Sequence, residues 1–209
     1  MPRIKSFEKY SKEYDEWFIR NQTIYLAELK AIKSLIPIEK TGVEIGVGTG
    51  RFASPLGIKV GIEPSKKMAE IARKRGIQVY EAVAEELPFD SETFDFALMV
   101  TTICFVDNPV NSFKEASRIL KPDGFIVIGF VDKNSELGIR YQLKKDRSNF
   151  YRDAVFYSAE EVIEYLKKTQ LEVATIKQTI FPNSSKRIDL VKDGYGEGSF
   201  VVIKANKTS

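Results

Sequence analysis

Three glycines within five residues, Gly46, Gly48 and Gly50, follow directly on the short apolar stretch 43–45. Glycine takes positive φ angles and lets a ligand approach the backbone where a Cβ would block it. The pattern predicts a buried strand, then a glycine turn, then a helix. At the carboxyl end of a strand in an open parallel sheet, such a turn and the helix N-terminus after it form a crevice for a polar ligand. A glycine turn without a ligand is the alternative.

Apolar stretches alternate with helical patterns along most of the chain. The predicted helices cover residues 68–75 and 109–120, and Asn108 is predicted to cap the second. The predicted strands before, between and after these helices are 43–45, 58–62, 77–80, 94–105 and 125–131. These strands are apolar without polar residues at every second position, which is typical of a parallel sheet covered on both faces.

The C-terminal third is predicted to contain one helix and two closing strands. The sequence SAEE at 158–161 is a capping box, which predicts a helix to about residue 168. The stretches 171–180 and 199–204 are joined without a helical pattern, so we expect an antiparallel hairpin. The expected fold is a single α/β domain with a doubly wound, mostly parallel seven-stranded sheet, helices on both faces and this hairpin at the end.

Two segments are expected to cover the sheet rather than belong to it. Residues 6–36 show helical spacing suited to one or two amphipathic helices, unusually aromatic between residues 7 and 18. We therefore expect residues 1–36 to be a helical lid on a domain of residues 37–209. Residues 132–155 are polar and irregular, which predicts a surface loop on the substrate side.

Composition excludes several kinds of chemistry. The chain has no histidine and one cysteine, Cys104, so histidine bases, disulfides and the usual zinc sites are excluded, and we expect no metal. A net charge of +3 spread among acidic residues does not call for a nucleic-acid partner. The longest apolar run, 96–106, is too short to span a bilayer, and the N-terminus has no apolar signal core. A cytoplasmic monomer or homodimer without membrane contact is expected.

A carboxylate at the end of the second strand indicates the kind of ligand. Glu63 lies 17 residues beyond Gly46. A carboxylate in that place can accept hydrogen bonds from both hydroxyls of a ribose. Together with the glycine turn, it predicts a cofactor that carries an adenosine.

Nicotinamide dinucleotides are one class of such cofactors. Residues 48–53 fit the loose pattern GxGxxA, residues 41–48 fit a short-chain dehydrogenase glycine pattern, and Tyr141 and Lys145 have the spacing of that family's catalytic pair. Their placement argues against this class. The strand lies inside the glycine pattern instead of before it, and the tyrosine follows the fifth strand in a basic loop.

Four motifs occur in order along residues 40–131: VEIGVGTG at 43–50, GIEPS at 61–65, AEELPF at 84–89 followed by FD at 94–95, and RILKPDG at 118–124. In these motifs the sequence resembles the class I S-adenosylmethionine-dependent methyltransferases, in particular the small-molecule group that includes quinone-biosynthesis C-methyltransferases. The resemblance extends more loosely to the terminal hairpin. It implies a Rossmann-like methyltransferase fold with S-adenosylmethionine as cofactor.

The resemblance also implies a cofactor site. The three glycines would admit the methionine part, Glu44 would place its ammonium, and Glu63 would hold the ribose. Ala84 would offer its backbone N–H to the adenine, and Thr101 would lie near the methionyl end. Val83 stands where many members carry an Asp or Asn that bonds the adenine. The full predicted set is Glu44, Gly46, Val47, Gly48, Gly50, Glu63, Pro64, Met68, Ala84, Glu85, Leu87 and Thr101.

A sulfonium methyl is already electrophilic, so positioning the acceptor in line with it provides most of the acceleration, up to about 7–11 kcal/mol. A base is needed only for a hydroxyl or a protonated amine, and the carboxylates or tyrosines for that role are Tyr14, Asp107 and Asp132. No Asn-Pro-Pro-Tyr motif follows the fourth strand, which argues against methylation of nucleic-acid amines. The sequence therefore predicts methyl transfer to a small molecule, and the alternative is a protein that binds the cofactor without transfer.

Overall fold

The computed structural model describes residues 4–37, 39–182 and 190–208. Residues 1–3 of the predicted lid and 183–189 of the connection between the last two predicted strands lie outside this part. The described residues before the sheet form three helices instead of one or two: α1 (Lys5–Lys9), α2 (Ser11–Arg20) and α3 (Gln22–Lys33). The breaks fall at Tyr10 and Asn21, whose φ angles of −119° and −116° are not helical.

The described residues contain eight strands in one sheet, one more than expected. They are β1 (Gly42–Ile45), β2 (Val60–Ile62), β3 (Gln78–Tyr80), β4 (Phe94–Val100), β5 (Leu120–Val131), β6 (Leu171–Thr179), β7 (Lys192–Asp193) and β8 (Phe200–Lys207). The order is β3-β2-β1-β4-β5-β8-β6-β7. Strands β1 to β5 pair in parallel, and the predicted antiparallel pairing of the last two long strands is confirmed by β6 and β8. The additional strand, β7, is a two-residue edge strand on β6.

The remaining helices cover the two faces of the sheet. They are α4 (Lys66–Lys74), α5 (Pro109–Ile119), α6 (Glu136–Leu143), the 3₁₀ turn η1 (Lys145–Arg147) and α7 (Ala159–Leu166). Helices α3 and α4 bury apolar residues on one face, and α5 and α7 bury theirs on the other, as in a doubly wound domain. The predicted cap at Asn108 and the capping box at Ser158 are both confirmed. Within the described chain, no helix has the length and apolar character needed to cross a membrane.

The prediction of a helix directly after the glycine turn is wrong. Residues 46–57 form a succession of turns before β2. Pro55 has no N–H to donate to the carbonyl of Arg51, and that carbonyl instead accepts the hydroxyl of Tyr25 at 2.5 Å. Gly57, with φ +74°, then ends the segment. Two helix-type hydrogen bonds remain, from Ser54 to Gly50 and from Leu56 to Phe52, but no continuous helix follows the turn.

Two further expectations need correction. Strand β4 ends at Val100 and not at residue 105, because Thr101 has φ +52° and turns the chain out of the sheet. Residues 132–155 are not irregular throughout: Ser135 accepts a hydrogen bond from the N–H of Gly138 at 3.0 Å and so caps α6.

Gly50 provides a test of packing around the glycine turn. Gly50 has φ +82°, and an added Cβ would lie 2.5 Å from Cδ1 of the buried Ile77. Gly57 also has a positive φ, +74°, but an added Cβ would meet no described atom within 4 Å. We expect Gly50→Ala to lower the free energy of unfolding by about 2–4 kcal/mol, from strain plus overpacking, and Gly57→Ala by about 1–2 kcal/mol, from strain alone. Equal losses in chemical denaturation would contradict the packing role of Gly50.

Candidate functional site

The carboxyl ends of β1, β2 and β4 open into a cavity of about 660 Å³. This is the expected position for a ligand in an open α/β sheet. The sheet supplies Gly46, Glu63 and Thr101 to its lining. Helices α1 to α3 and the segment from α6 to residue 151 supply the opposite side.

Of the three glycines in the turn, Gly48 faces the cavity most openly. A Cβ at Gly48 would come no closer than 3.5 Å to the described side chains, the nearest being Met68 and Tyr14. At Gly46 the same position is filled by the side chain of Thr102, and at Gly50 by Ile77. Gly46 and Gly50 therefore serve close packing, whereas Gly48 exposes its backbone to a ligand.

Glu63 connects the cavity to the backbone around it. Its Oε2 accepts the N–H of Gly48 at 2.9 Å, and its Oε1 accepts the N–H of Ser65 at 2.8 Å. Burial raises the pKa of Glu63 to about 7, and these two N–H groups oppose the rise. An ionised carboxylate accepts about four hydrogen bonds, so roughly two positions remain for a ligand.

Two other buried glutamates lie in or beneath the same region. Glu28 of α3 is 6% exposed and lines the cavity, and among the described residues it has no hydrogen bond or ion pair. Burial raises its pKa to about 8. Glu44 of β1 lies beneath the turn with a pKa raised well above its usual value by burial, and its Oε2 has no hydrogen-bond partner within the described chain.

These three carboxylates make the region acidic. No described lysine or arginine forms an ion pair with Glu28, Glu44 or Glu63. Lys144 and Arg147 line the cavity, but both are exposed. Burying a carboxylate without a positive partner is costly, so the arrangement fits a cationic ligand and disfavours an anionic one.

A pair of ion pairs fastens α2 to the glycine turn. Asp15 accepts from Nε and Nη2 of Arg51 at 2.8 and 2.7 Å, and from Nη2 of Arg75 at 2.8 Å. Burial raises the pKa of Asp15, but the bonds with Arg51 and Arg75 outweigh it and lower the pKa to about 2. Arg75 also donates to the carbonyl of Thr49 in the turn.

Aromatic side chains form much of the cavity's far side. We call Phe7, Tyr14, Trp17, Phe105, Tyr141, Phe150 and Tyr151 the aromatic wall. Phe7 contacts Phe105 edge-on with ring centroids 4.9 Å apart, and Tyr141 stacks on Tyr151 at 4.8 Å. The wall joins α1 and α2 to the segment after β4 and to the segment after α6.

Comparison with known proteins agrees with this geometry. The methyltransferase domain family matches residues 43–128. The crystal structure of an S-adenosylmethionine-dependent methyltransferase from Thermotoga maritima, described as a possible histamine N-methyltransferase, is 52% identical, covers 98% of this chain and 100% of its own, and has a TM-score of 0.93. The chain belongs to the S-adenosylmethionine-dependent methyltransferases.

Sequence relatives of this methyltransferase include proteins with and without a named activity. The uncharacterized protein MJ1123 of Methanocaldococcus jannaschii is 51% identical over 203 residues, which are 96% of this chain and 98% of that protein. The malonyl-[acyl-carrier protein] O-methyltransferase of a Marinomonas strain is 24% identical over 145 residues, which are 63% of this chain and 52% of that protein.

The cofactor of the methyltransferases fits the residues present. S-adenosylmethionine carries positive charge on its sulfonium and its ammonium, and Glu63 in the cavity lining forms no ion pair with a described lysine or arginine. The dehydrogenase alternative has no such support. A pyrophosphate would meet a turn without a continuous helix after it and would lie close to the carboxylate of Glu63. Burial and the charge of Glu28 raise the pKa of Tyr141, and Lys145 lies outside the described cavity lining.

The structure brings together most of the residues that the sequence predicted for the site. Those that line the cavity are Gly46, Gly48, Glu63, Pro64, Met68, Ala84, Glu85, Thr101, Tyr14 and Asp107. Those outside its described lining are Glu44, Val47, Gly50, Leu87 and Asp132. The carboxylate of Asp132 accepts the N–H groups of Asn134 at 2.7 Å and Ala159 at 2.9 Å, which assigns it to holding the loop and the start of α7.

Sequence reasoning missed Glu28, Asp15 and most of the aromatic wall beyond residue 18. Glu28 did leave a signal, because it lies four residues from both Ile24 and Ile32 and so interrupts the apolar stripe of α3. A charged residue in such a stripe marks either a buried ion pair or a ligand contact. Among the described residues, the structure excludes a buried ion pair at Glu28.

Glu28 gives a stability test with a defined sign. Its pKa in the folded protein, about 8, exceeds the ordinary 4.5, so the folded state holds a proton that the unfolded state loses as pH rises from 4.5 to 8. We expect Glu28→Gln to unfold less readily than the natural protein at pH 9, by at most about 5 kcal/mol, and the difference to vanish near pH 4.

Chemical denaturation across this pH range measures the effect. The exposed Glu172 supplies the control, since Glu172→Gln removes a carboxylate from the surface of β6. A difference between Glu28→Gln and the natural protein that stays constant from pH 4 to pH 9 would contradict the burial of an unpaired carboxylate at Glu28.

Proposed function

We propose that this methyltransferase transfers the methyl group of S-adenosylmethionine to a small-molecule acceptor by in-line displacement. The observation that carries the proposal is the size of the cavity at the carboxyl ends of β1, β2 and β4. Its volume of about 660 Å³ lies in the range of small-molecule pockets, about 300–1,000 Å³. The aromatic contacts of Phe7 with Phe105 and Phe150 lie in its lining and narrow it, which favours a small acceptor.

The proposed lid consists of the helices within residues 1–36, with the 132–155 segment as its partner on the substrate side. Two kinds of contact support the proposal that these segments form a lid over the core domain 37–209. Asp15 ties α2 to the glycine turn through Arg51 and Arg75, and Phe150 contacts both Phe7 and Tyr14. The lid thus excludes water from a reaction that depends on a dry, ordered pocket.

The proposed cofactor seat runs along the sheet edge. The free acceptor positions of Glu63 suit the ribose hydroxyls, and the backbone of Gly48 suits the methionine part. Buried Met68 and Ala84 suit an apolar contact with the adenine. Val83 also lines the cavity, so the adenine contact on that side is apolar.

When bound, S-adenosylmethionine supplies a methyl group on a positively charged sulfur. The chain's task is to hold an acceptor atom in line with that group and to exclude water. Thr101 is suited to this region, since a β-branched residue at φ +52° is strained by about 1–3 kcal/mol, and such strain gathers at functional sites. The N–H of Thr101 is fixed by the carbonyl of Gly129 at 2.7 Å.

Glu63 gives the direct test of the cofactor seat. We expect Glu63→Gln to weaken S-adenosylmethionine binding about 10- to 100-fold, because charged hydrogen bonds of about 1.5–3 kcal/mol are lost. Calorimetric titration with S-adenosylmethionine, S-adenosylhomocysteine and NADH measures this.

The control variant is Glu81→Gln, which removes an exposed carboxylate paired with Arg73. It should bind the sulfur nucleosides as the natural protein does. Unchanged affinity in Glu63→Gln would overturn the proposed seat. Binding of NADH in preference to both sulfur nucleosides would overturn the proposed function.

A further inference from the structure

We propose that Glu28 is the acceptor-binding carboxylate of the cavity and that the acceptor is a small amine on an apolar or aromatic body, methylated on nitrogen. The inference rests on the proposed function, since it needs a small-molecule acceptor in this cavity. It specifies the chemical class of that acceptor and the residue that recognises it.

A buried carboxylate without a partner, such as that of Glu28, lowers the stability of the fold. The side chain is 6% exposed, lines the cavity, and has no hydrogen bond or ion pair within the described residues. Its neighbours on α3 at the same depth, Ala27, Ala31 and Ile32, are apolar core residues. An apolar residue at position 28 would make the fold more stable, so the carboxylate is better explained by a ligand than by packing.

The charges of Glu28 and Glu63 do not affect the same set of tyrosines. The pKa of Tyr14 is raised by burial and by the charges of Glu63, Glu44 and Glu28. The pKa of Tyr141 is raised by burial and then by Glu28, without a contribution from Glu63. Glu28 therefore affects both Tyr14 and Tyr141 of the cavity lining, whereas Glu63 affects only Tyr14 of these two.

The aromatic side chains that line the cavity with Glu28 also favour a cationic acceptor. Trp17, Tyr141 and Tyr151 of the aromatic wall line the same cavity as Glu28. Aromatic faces attract ammonium groups by about 0.5–2 kcal/mol, and a carboxylate adds charge and hydrogen bonds. The basic residues of the lining, Lys144 and Arg147, are exposed and form no ion pair with Glu28 in the described chain. The inner part of the cavity thus favours a cation over a neutral alcohol or a carboxylate.

The chemistry balances with an amine acceptor. One proton of the ammonium passes to the carboxylate of Glu28 and frees the nitrogen lone pair. That pair forms the new bond to the methyl carbon as the carbon–sulfur bond breaks, and its electrons stay on sulfur. The products are an N-methylammonium ion and S-adenosylhomocysteine, and Glu28 later releases the proton to water. Burial raises the pKa of Glu28 to about 8, and a bound ammonium would favour the ionised form of Glu28, which is the form that accepts the proton.

The experiment compares matched probes that differ in charge. The probes are 2-phenylethylamine, tyramine and histamine, with 2-phenylethanol as neutral and 3-phenylpropionate as anionic counterparts. Calorimetry in saturating S-adenosylhomocysteine measures their binding, and radiolabelled S-adenosylmethionine measures methyl transfer. The proteins are the full natural chain, Glu28→Gln, Glu28→Asp and the surface control Glu172→Gln.

We expect at least one amine to bind the natural protein at least tenfold more tightly than 2-phenylethanol and to accept the label on nitrogen. Glu28→Gln should lose this preference at least tenfold while binding S-adenosylhomocysteine within about threefold of the natural protein. Glu28→Asp should recover part of the preference because it restores the charge. Glu172→Gln should behave as the natural protein.

Two outcomes overturn the inference and leave the proposed function standing. In one, S-adenosylhomocysteine binds but amines bind no better than 2-phenylethanol. In the other, Glu28→Gln keeps the preference for amines. Failure of the natural protein to bind S-adenosylhomocysteine is a different result, since it overturns the proposed function itself.

Discussion

The buried carboxylate of Glu63 is the interaction on which the arrangement of the site depends. It stands at the end of β2 and accepts one N–H from the glycine turn after β1 and another from Ser65, which caps α4. The glycine turn is thereby fixed against the continuous stretch from the end of β2 to the start of α4 at the edge of the sheet. The two N–H groups offset part of the cost of burying the carboxylate, and the charge that remains faces the cavity.

Features that depend on residues close together in the sequence could be predicted. Features that depend on residues far apart in the sequence could not. The order of strands and helices, the caps at Asn108 and Ser158, and the pairing of Glu63 with the glycine turn are written in local patterns. The missing helix after the turn depends on Pro55 and on the hydroxyl of Tyr25, 26 residues away from the carbonyl it binds. The ion pairs of Asp15 span 36 and 60 residues, and no local pattern announces such contacts.

Glu28 shows where stability and function diverge. The residue breaks the apolar pattern of its helix and stays without a described partner in a buried position. Thr101 likewise occupies a backbone region that a β-branched side chain disfavours. Both residues lie in the lining of one cavity, next to a sheet in which residues 96–100 of β4 and 124–130 of β5 are buried.

In the proposed cofactor seat, the buried carboxyl groups would distinguish spent cofactor from fresh cofactor. Methyl transfer removes the positive charge from sulfur, so the thioether product is attracted less by the surrounding carboxylates than the sulfonium that preceded it. The difference appears only after the bond to carbon has broken. Carboxyl groups without described cationic partners would thus hold the used nucleoside less strongly at the step where release is required.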